Sequence, residues 1–195
     1  MITKSALITR DIDLLAPMAA RGLAKVAISI TTLDRTLARR MEPRAATPQR
    51  RLDAIRALTD AGIPVAVMTA PLIPALNDAE LDDILAAAAE AGATEAGYVV
   101  LRLPLEIKDL FREWLEAAYP DRAQRVMKLV RDMRGGRDYD PEWSARQRGA
   151  GAYARLIASR FRKACARLGL NRRKLDLDVA QFRIPPRSGD QLDLL

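Results

Sequence analysis

Three times in its first hundred residues the chain runs an amphipathic helix into a glycine and then into a strand: MAARGLAKVAISI, LTDAGIPVAVMT and AAEAGATEAGYVV. Gly22, Gly62 and Gly92 stand where each helix must turn sharply, and glycine alone takes the left-handed cap conformation at little cost. The helices carry matching apolar stripes: Ile12, Leu15 and Met18, then Leu52, Ile55 and Leu58, then Leu81, Ile84, Leu85 and Ala88. A strand that follows each helix within a few residues must run parallel to the one before it, because the crossover returns the chain to the same end of the sheet. The expected class is α/β, and function belongs at the C-terminal ends of such strands.

The strand over 25–31 alternates. Val26, Ile28 and Ile30 share one face, suited to packing under helices; Ala27, Ser29 and Thr31 share the other. The second face is small and polar, as a strand beside a ligand space must be, since bulky side chains would fill that space. Ala66, Met68 and Ala70 likewise share one face, and Tyr98, Val100 and Arg102 another.

Beyond Pro104 the period stays helical over 105–118 and 122–133, with Pro120 and Asp121 expected to form the break and the N-cap. The glycine-rich loop RGGRDYDPEWSARQRGAG brings arginine, tyrosine and tryptophan, side chains that pair with phosphates and stack on bases, although a surface loop has the same composition. A last helix over 153–168 sets Leu156, Ile157, Phe161, Ala164 and Cys165 against Arg155, Arg162, Lys163 and Arg167, which makes Cys165 a small core residue. LDLDVAQF reads as a short alternating strand, and RIPPRSGD as a linker without regular structure.

A chain of 195 residues with 49% hydrophobic composition accommodates one compact domain and a tail. Histidine is absent, which removes Ser-His-Asp triads, Cys-His pairs and histidine zinc sites. The single cysteine excludes an internal disulfide and suits a reducing, cytoplasmic location; no run is apolar enough for a membrane span or signal peptide. The net charge of +7, much of it arginine after residue 120, points to an anionic partner such as nucleic acid or simply to a solvated arginine-rich face.

The stretch TKSALITRDIDLLAPMAARGLAKVAISITTLD, followed by MEPR, AP-x-IP-x-LND, GYVVLRLP and MRGGRDYD, resembles the radical S-adenosylmethionine (SAM) domain of spore photoproduct lyase-like proteins over nearly the whole chain. The resemblance implies a partial, open parallel β/α barrel over 1–104, a mainly helical basic extension over 105–183 and a flexible tail over 184–195. It also implies a [4Fe-4S] cluster held by a CxxxCxxC loop after the first barrel strand, with SAM completing the coordination and yielding a deoxyadenosyl radical on reductive cleavage. With one cysteine this sequence has no such loop. Met1 aligns within the third strand of the family pattern, so the expectation is a C-terminal portion, catalytically inactive by itself.

Two residues match SAM-contacting positions of that family. Lys4, at the end of the TK strand, matches a lysine that contacts the SAM carboxylate; Ser29 matches a serine that contacts SAM from the next strand, and the period-2 pattern independently places it on the open face. Thr31 joins them as a cofactor-binding candidate by geometry, as do Arg44 and Arg102 without a motif. The family's late hydrogen-donating cysteine has no counterpart, because Cys165 lies on an apolar helix stripe.

The terminal QLDLL resembles the short peptide by which bacterial repair and replication proteins dock on the DNA sliding clamp. Gln191 would hydrogen-bond at one subsite while Leu192, Leu194 and Leu195 enter an apolar pocket, Leu195 replacing the usual aromatic. An ordinary apolar tail is the alternative. For the chain as a whole, the alternatives to a radical SAM portion are a non-catalytic basic nucleic-acid-binding module and a degenerate gene product.

Overall fold

A computed structural model of the chain describes residues 1–142, 146–173 and 176–183. Four strands, β1 (Ile2–Thr3), β2 (Val26–Ser29), β3 (Val65–Leu72) and β4 (Glu95–Val100), form one parallel sheet in the order β1-β2-β3-β4. The helices are α1 (Ile12–Ala20), α2 (Arg35–Met41), α3 (Pro48–Asp60), α4 (Leu81–Glu90), α5 (Ile107–Ala118), α6 (Pro120–Asp132) and α7 (Gly151–Leu168). The fold is therefore α/β, with each helical crossover delivering the next strand beside the last. Gly22, Gly62 and Gly92 all take positive φ, at 71°, 75° and 106°. Among the described residues no helix is long and apolar enough to cross a membrane.

The alternation in the strands decides the layers. Val26, Ile28 and Ile30 pack with Val65, Val67, Tyr98 and Val100 under Ile55 and Leu58 of α3 and Ile84 and Leu85 of α4 in one apolar cluster. Each such fully buried side chain stabilises the fold by about 1.5–3 kcal/mol. α7 joins this cluster through Ile157, Phe161, Ala164 and Cys165, with the Phe161 ring 4.8 Å from that of Tyr98. α7 thus returns the chain to the helical layer of the sheet.

The other face carries small side chains in register: Ala27 beside Ala66, Ser29 beside Met68, and Met68 beside Gly97. A methyl group on Gly97 would lie 3.0 Å from the Met68 sulfur, so this glycine makes room for the Met68 side chain. A hollow of about 350 Å³ lies on this face toward the strand N-termini, lined by Met1, Ile2, Ala27, Ala66, Met68 and Leu177 among others.

A second apolar cluster covers the opposite end of the sheet. Leu37 of α2, Ile73 and Leu76 after β3, and Leu101 and Leu103 after β4 meet Leu115 of α5 and Val126, Met127 and Val130 of α6. The helical extension is anchored by residues that leave the strand C-termini.

Several local expectations are corrected. α5 starts at Ile107, and the break before α6 is Tyr119, whose φ of −144° and ψ of 58° are not helical; Pro120 is the first residue of α6, so Asp121 lies inside the helix rather than capping it. Met18 is 44% and Leu156 53% exposed, because α1 and α7 bury narrower stripes than their apolar residues suggest. The 175–182 segment is no strand among its described residues: Val179–Gln181 is a 3-10 turn, started by the Asp178 carboxylate accepting from Ala180 N–H at 2.9 Å. Its backbone meets the sheet layer through Asp178 N–H and the Gly22 carbonyl, at the turn before β2. The short helix α2 leaves no trace in the hydrophobic period. It follows from Asp34, whose carboxylate caps it by accepting from Thr36 N–H at 2.7 Å and Leu37 N–H at 3.3 Å.

Candidate functional site

β1 and β2 lie side by side and end together, so the residues that leave them emerge as neighbours. Lys4 follows β1, and Thr31 stands two residues past β2. Both reach one carboxylate: the Lys4 ammonium pairs with Glu42 Oε1, and the Thr31 hydroxyl donates to the same oxygen at 2.9 Å. Glu42 arrives there because α2 ends at Met41 and leaves it as the C-cap residue.

The second oxygen of Glu42 accepts from Arg51 Nη2 at 2.5 Å. Arg51 is in the first turn of α3, only 2% exposed, and all three arms of its guanidinium are used: Nη1 donates to the Ser29 carbonyl at 2.9 Å and Nε to the Ala46 carbonyl at 2.8 Å. A buried guanidinium is tolerated only when paired and hydrogen-bonded in this way. Burial pushes the Glu42 carboxyl up, but the hydrogen bonds and charges of Lys4 and Arg51 outweigh it and hold the carboxyl below its ordinary value.

Two further side chains lock the strand ends. Asn77 is fully buried; its amide donates to the Thr31 carbonyl at 2.7 Å and the Pro71 carbonyl at 3.0 Å, and its oxygen accepts from Ile73 N–H at 2.6 Å. Glu80 accepts from the Thr32 hydroxyl and from Leu33 N–H, both at 2.7 Å.

The structure therefore brings the Lys4 and Thr31 side chains together on one oxygen of Glu42. Ser29 is joined through its backbone carbonyl; its side chain is buried and makes no hydrogen bond among the described residues, and it does not line the 350 Å³ hollow. Arg102 lies at the opposite edge of the sheet beyond β4, with its Nη2 3.3 Å from the Tyr139 hydroxyl, and Arg44 is exposed in the loop before α3. Neither joins the cluster. Gln191, Leu192, Leu194 and Leu195 lie outside the described residues, as do 143–145 of the basic loop. Sequence patterning does not single out Glu42, Arg51, Asn77 or Glu80; the one signal available is that Glu42 and Asn77 fall in the MEPR and LND stretches.

Residues 1–88, which contain this whole cluster, match the Radical SAM superfamily model. Relatives extend the similarity: an uncharacterized protein of Mycobacterium tuberculosis strain H37Rv is 37% identical over 133 residues, 67% of this chain and 39% of the relative. An uncharacterized protein of Acidianus two-tailed virus is 39% identical over 72 residues, 37% of this chain and 23% of its own. One of Methanocaldococcus jannaschii is 28% identical over 121 residues, 62% of this chain and 44% of the relative. The chain spans about two fifths of the length of the mycobacterial relative.

Radical SAM domains generally use SAM and a [4Fe-4S] cluster, and the residues present suit the two groups unequally. The only cysteine, Cys165, is buried on α7 in the sheet core, where burial pushes its thiol up, away from the thiolate that ligates iron. Among the described residues no group of three His, Cys, Asp or Glu side chains is placed to hold a metal ion. These residues do not fit a cluster. At the Lys4 site two cations face one carboxylate, the charge balance an anionic group requires, and the Lys4 side chain, 37% exposed, is the accessible member.

Proposed function

We propose that this chain is the SAM-binding, C-terminal portion of a radical SAM protein resembling spore photoproduct lyase, with nucleic acid as its substrate class. SAM, when bound, supplies an amino-acid carboxylate, and Lys4 receives it beyond the C-terminal end of β1 while Ser29, at the end of β2, and Thr31, two residues past it, border the ligand. The observation that carries the reading is the convergence of Lys4 and Thr31 on the Glu42 carboxylate at the ends of adjacent parallel strands, within the matched residues. Cluster ligands are not among the residues of this chain, so the chain alone is inactive in SAM cleavage.

The test is equilibrium dialysis of the full chain with radiolabelled SAM, together with anaerobic reconstitution with iron and sulfide. Saturable SAM binding that is lost in Lys4→Ala, with substoichiometric iron, is the expected result. Binding indifferent to Lys4→Ala, or a stoichiometric cluster on this chain, overturns the reading.

A second reading, a basic nucleic-acid-binding module, is favoured by one cleft. α6 and α7 flank a space of about 450 Å³ lined by Arg122, Arg125, Arg160 and Tyr153 together with Asp78 and Asp121, and the exposed face of α7 adds Arg155, Arg162 and Lys163. This module predicts binding of single-stranded or duplex DNA that weakens steeply with salt and needs no iron. Independently of both readings, residues 191–195 are proposed to dock on the sliding clamp; undiminished capture by the clamp after deletion of 190–195 would sink that assignment.

A further inference from the structure

We propose that Glu42, braced by Arg51, is a positioning residue that fixes the Lys4 ammonium for the carboxylate of a bound amino-acid-bearing ligand, a role that rests on the assignment of Lys4 as a SAM contact. Lys4 and Glu42 are 38 residues apart in the chain, so only the fold brings them together. A lysine leaving an edge strand otherwise samples many rotamers, and a ligand that relies on it must order it at an entropic cost. Glu42 removes that freedom before the ligand arrives.

The brace is what separates Glu42 from an ordinary surface partner. Its far oxygen is held by Arg51, which is itself fixed by the Ser29 and Ala46 carbonyls. The Thr31 hydroxyl, whose one proton can go to the near oxygen at 2.9 Å or to the Ala70 carbonyl at 3.1 Å, lies between the carboxylate and β3. The charges then direct the ligand. Two cations against one carboxylate leave one positive charge uncompensated, and Arg51 at 2% exposure is closed to a ligand. The surplus is accessible only through Lys4, whose ammonium has three donors and among the described residues gives one to Glu42. The site is thus set to take a second carboxylate beside the first.

The experiment uses the full chain, with NMR detection of lysine ammonium groups and equilibrium binding of two probes: SAM, and methylthioadenosine, which keeps the adenosyl group but lacks the amino-acid carboxylate. In the wild type the Lys4 ammonium should give a resolved, slowly exchanging resonance that collapses to surface-lysine behaviour in Glu42→Gln. SAM affinity should fall roughly tenfold in that variant, as for loss of a charge-assisted contact, with methylthioadenosine affinity changed less than about twofold. Glu42→Asp keeps the charge, should restore part of both signals, and carries the test if Glu42→Gln does not fold. A Lys4 resonance unchanged in Glu42→Gln overturns the proposal while leaving the SAM reading standing. A resonance that does collapse, combined with SAM affinity indifferent to Lys4→Ala, overturns the reading of Lys4 and the ligand role of Glu42 with it.

Discussion

The Tyr153 hydroxyl donates to the Asp78 carboxylate at 2.5 Å and so ties the first turn of α7 to the loop that leads from β3 into α4. Asp78 is only 7% exposed, and Arg160, two turns further along α7, holds the same loop through the Asp78 and Ala79 carbonyls. Tyr153→Phe leaves the buried carboxylate without its donor and should cost about 1–3 kcal/mol. Urea denaturation monitored by circular dichroism measures it, and a loss within error would show that the contact does not anchor α7.

The same pair predicts an alkaline limit. Burial, the hydrogen bond to Asp78 and the charge of Asp78 push the Tyr153 phenol from its ordinary 10 up to about 12. A group whose pKa is raised on folding stabilises the fold fully below its unfolded value and loses that contribution as pH rises toward the folded one. Wild-type stability should therefore fall between about pH 10 and pH 12 more steeply than that of Tyr153→Phe, in thermal melts recorded across that window.

Glu42 gives the opposite sign in acid. Its carboxyl lies below the ordinary value of 4.5, so its contribution is present above that value and is lost as pH falls through the folded one. The stability advantage of the wild type over Glu42→Gln should be full at neutral pH and shrink progressively below about pH 4. A difference between the two proteins that stays constant across this range would contradict the ion-pair account.

How far the sequence can be read depends on how local the determinant is. The glycine caps and the stripe of Leu81, Ile84, Leu85 and Ala88 are legible because each is written within one element, and all four stripe residues are buried as expected. Ser29 and Thr31 are legible near a strand end from alternation and parallel topology, whereas Lys4 is placed by the resemblance of the TK stretch, since a two-residue strand shows no alternation. Glu42 and Arg51 are not, because nothing in a hydrophobic period reveals that the end of α2 and the start of α3 close on Lys4. At Val179–Gln181 the alternating LDLDV imitates a strand, while the capping carboxylate of Asp178 decides the local conformation.

Two of the cap glycines separate backbone strain from packing. Gly62 has φ of +75° and nothing lies within 4 Å of where an alanine methyl would sit, so Gly62→Ala should cost about 1 kcal/mol, the left-handed penalty alone. Gly92, at φ +106°, would place that methyl 2.7 Å from Thr59 Cγ2. Gly92→Ala should lose about 1–3 kcal/mol more, as overpacking does, and Thr59→Ser in the same chain should recover part of it. Equal losses at the two positions in a denaturant titration would refute the steric argument.

Asn77 offers the sharpest test of how the strand ends are held. Its amide nitrogen faces two carbonyls, Thr31 and the half-buried Pro71, and its oxygen faces the buried Ile73 N–H, while Asn77 itself is fully buried. Asn77→Ala removes the partners of two buried groups, the Thr31 carbonyl and the Ile73 N–H, each costing about 1–3 kcal/mol when unsatisfied, and of the half-buried Pro71 carbonyl. Asn77→Asp keeps the shape and the acceptor for Ile73 but turns an oxygen toward both carbonyls, adding like-charge contact to the lost donors and burying a charge. Despite being isosteric, the aspartate variant should be the less stable of the two at neutral pH. Protonating the carboxylate returns one donor, so its deficit relative to Asn77→Ala should narrow as pH is lowered. Melting temperatures of both variants over the same acid range decide the matter: an aspartate variant as stable as the wild type at neutral pH would mean that the amide nitrogen does not hold Thr31 and Pro71 together.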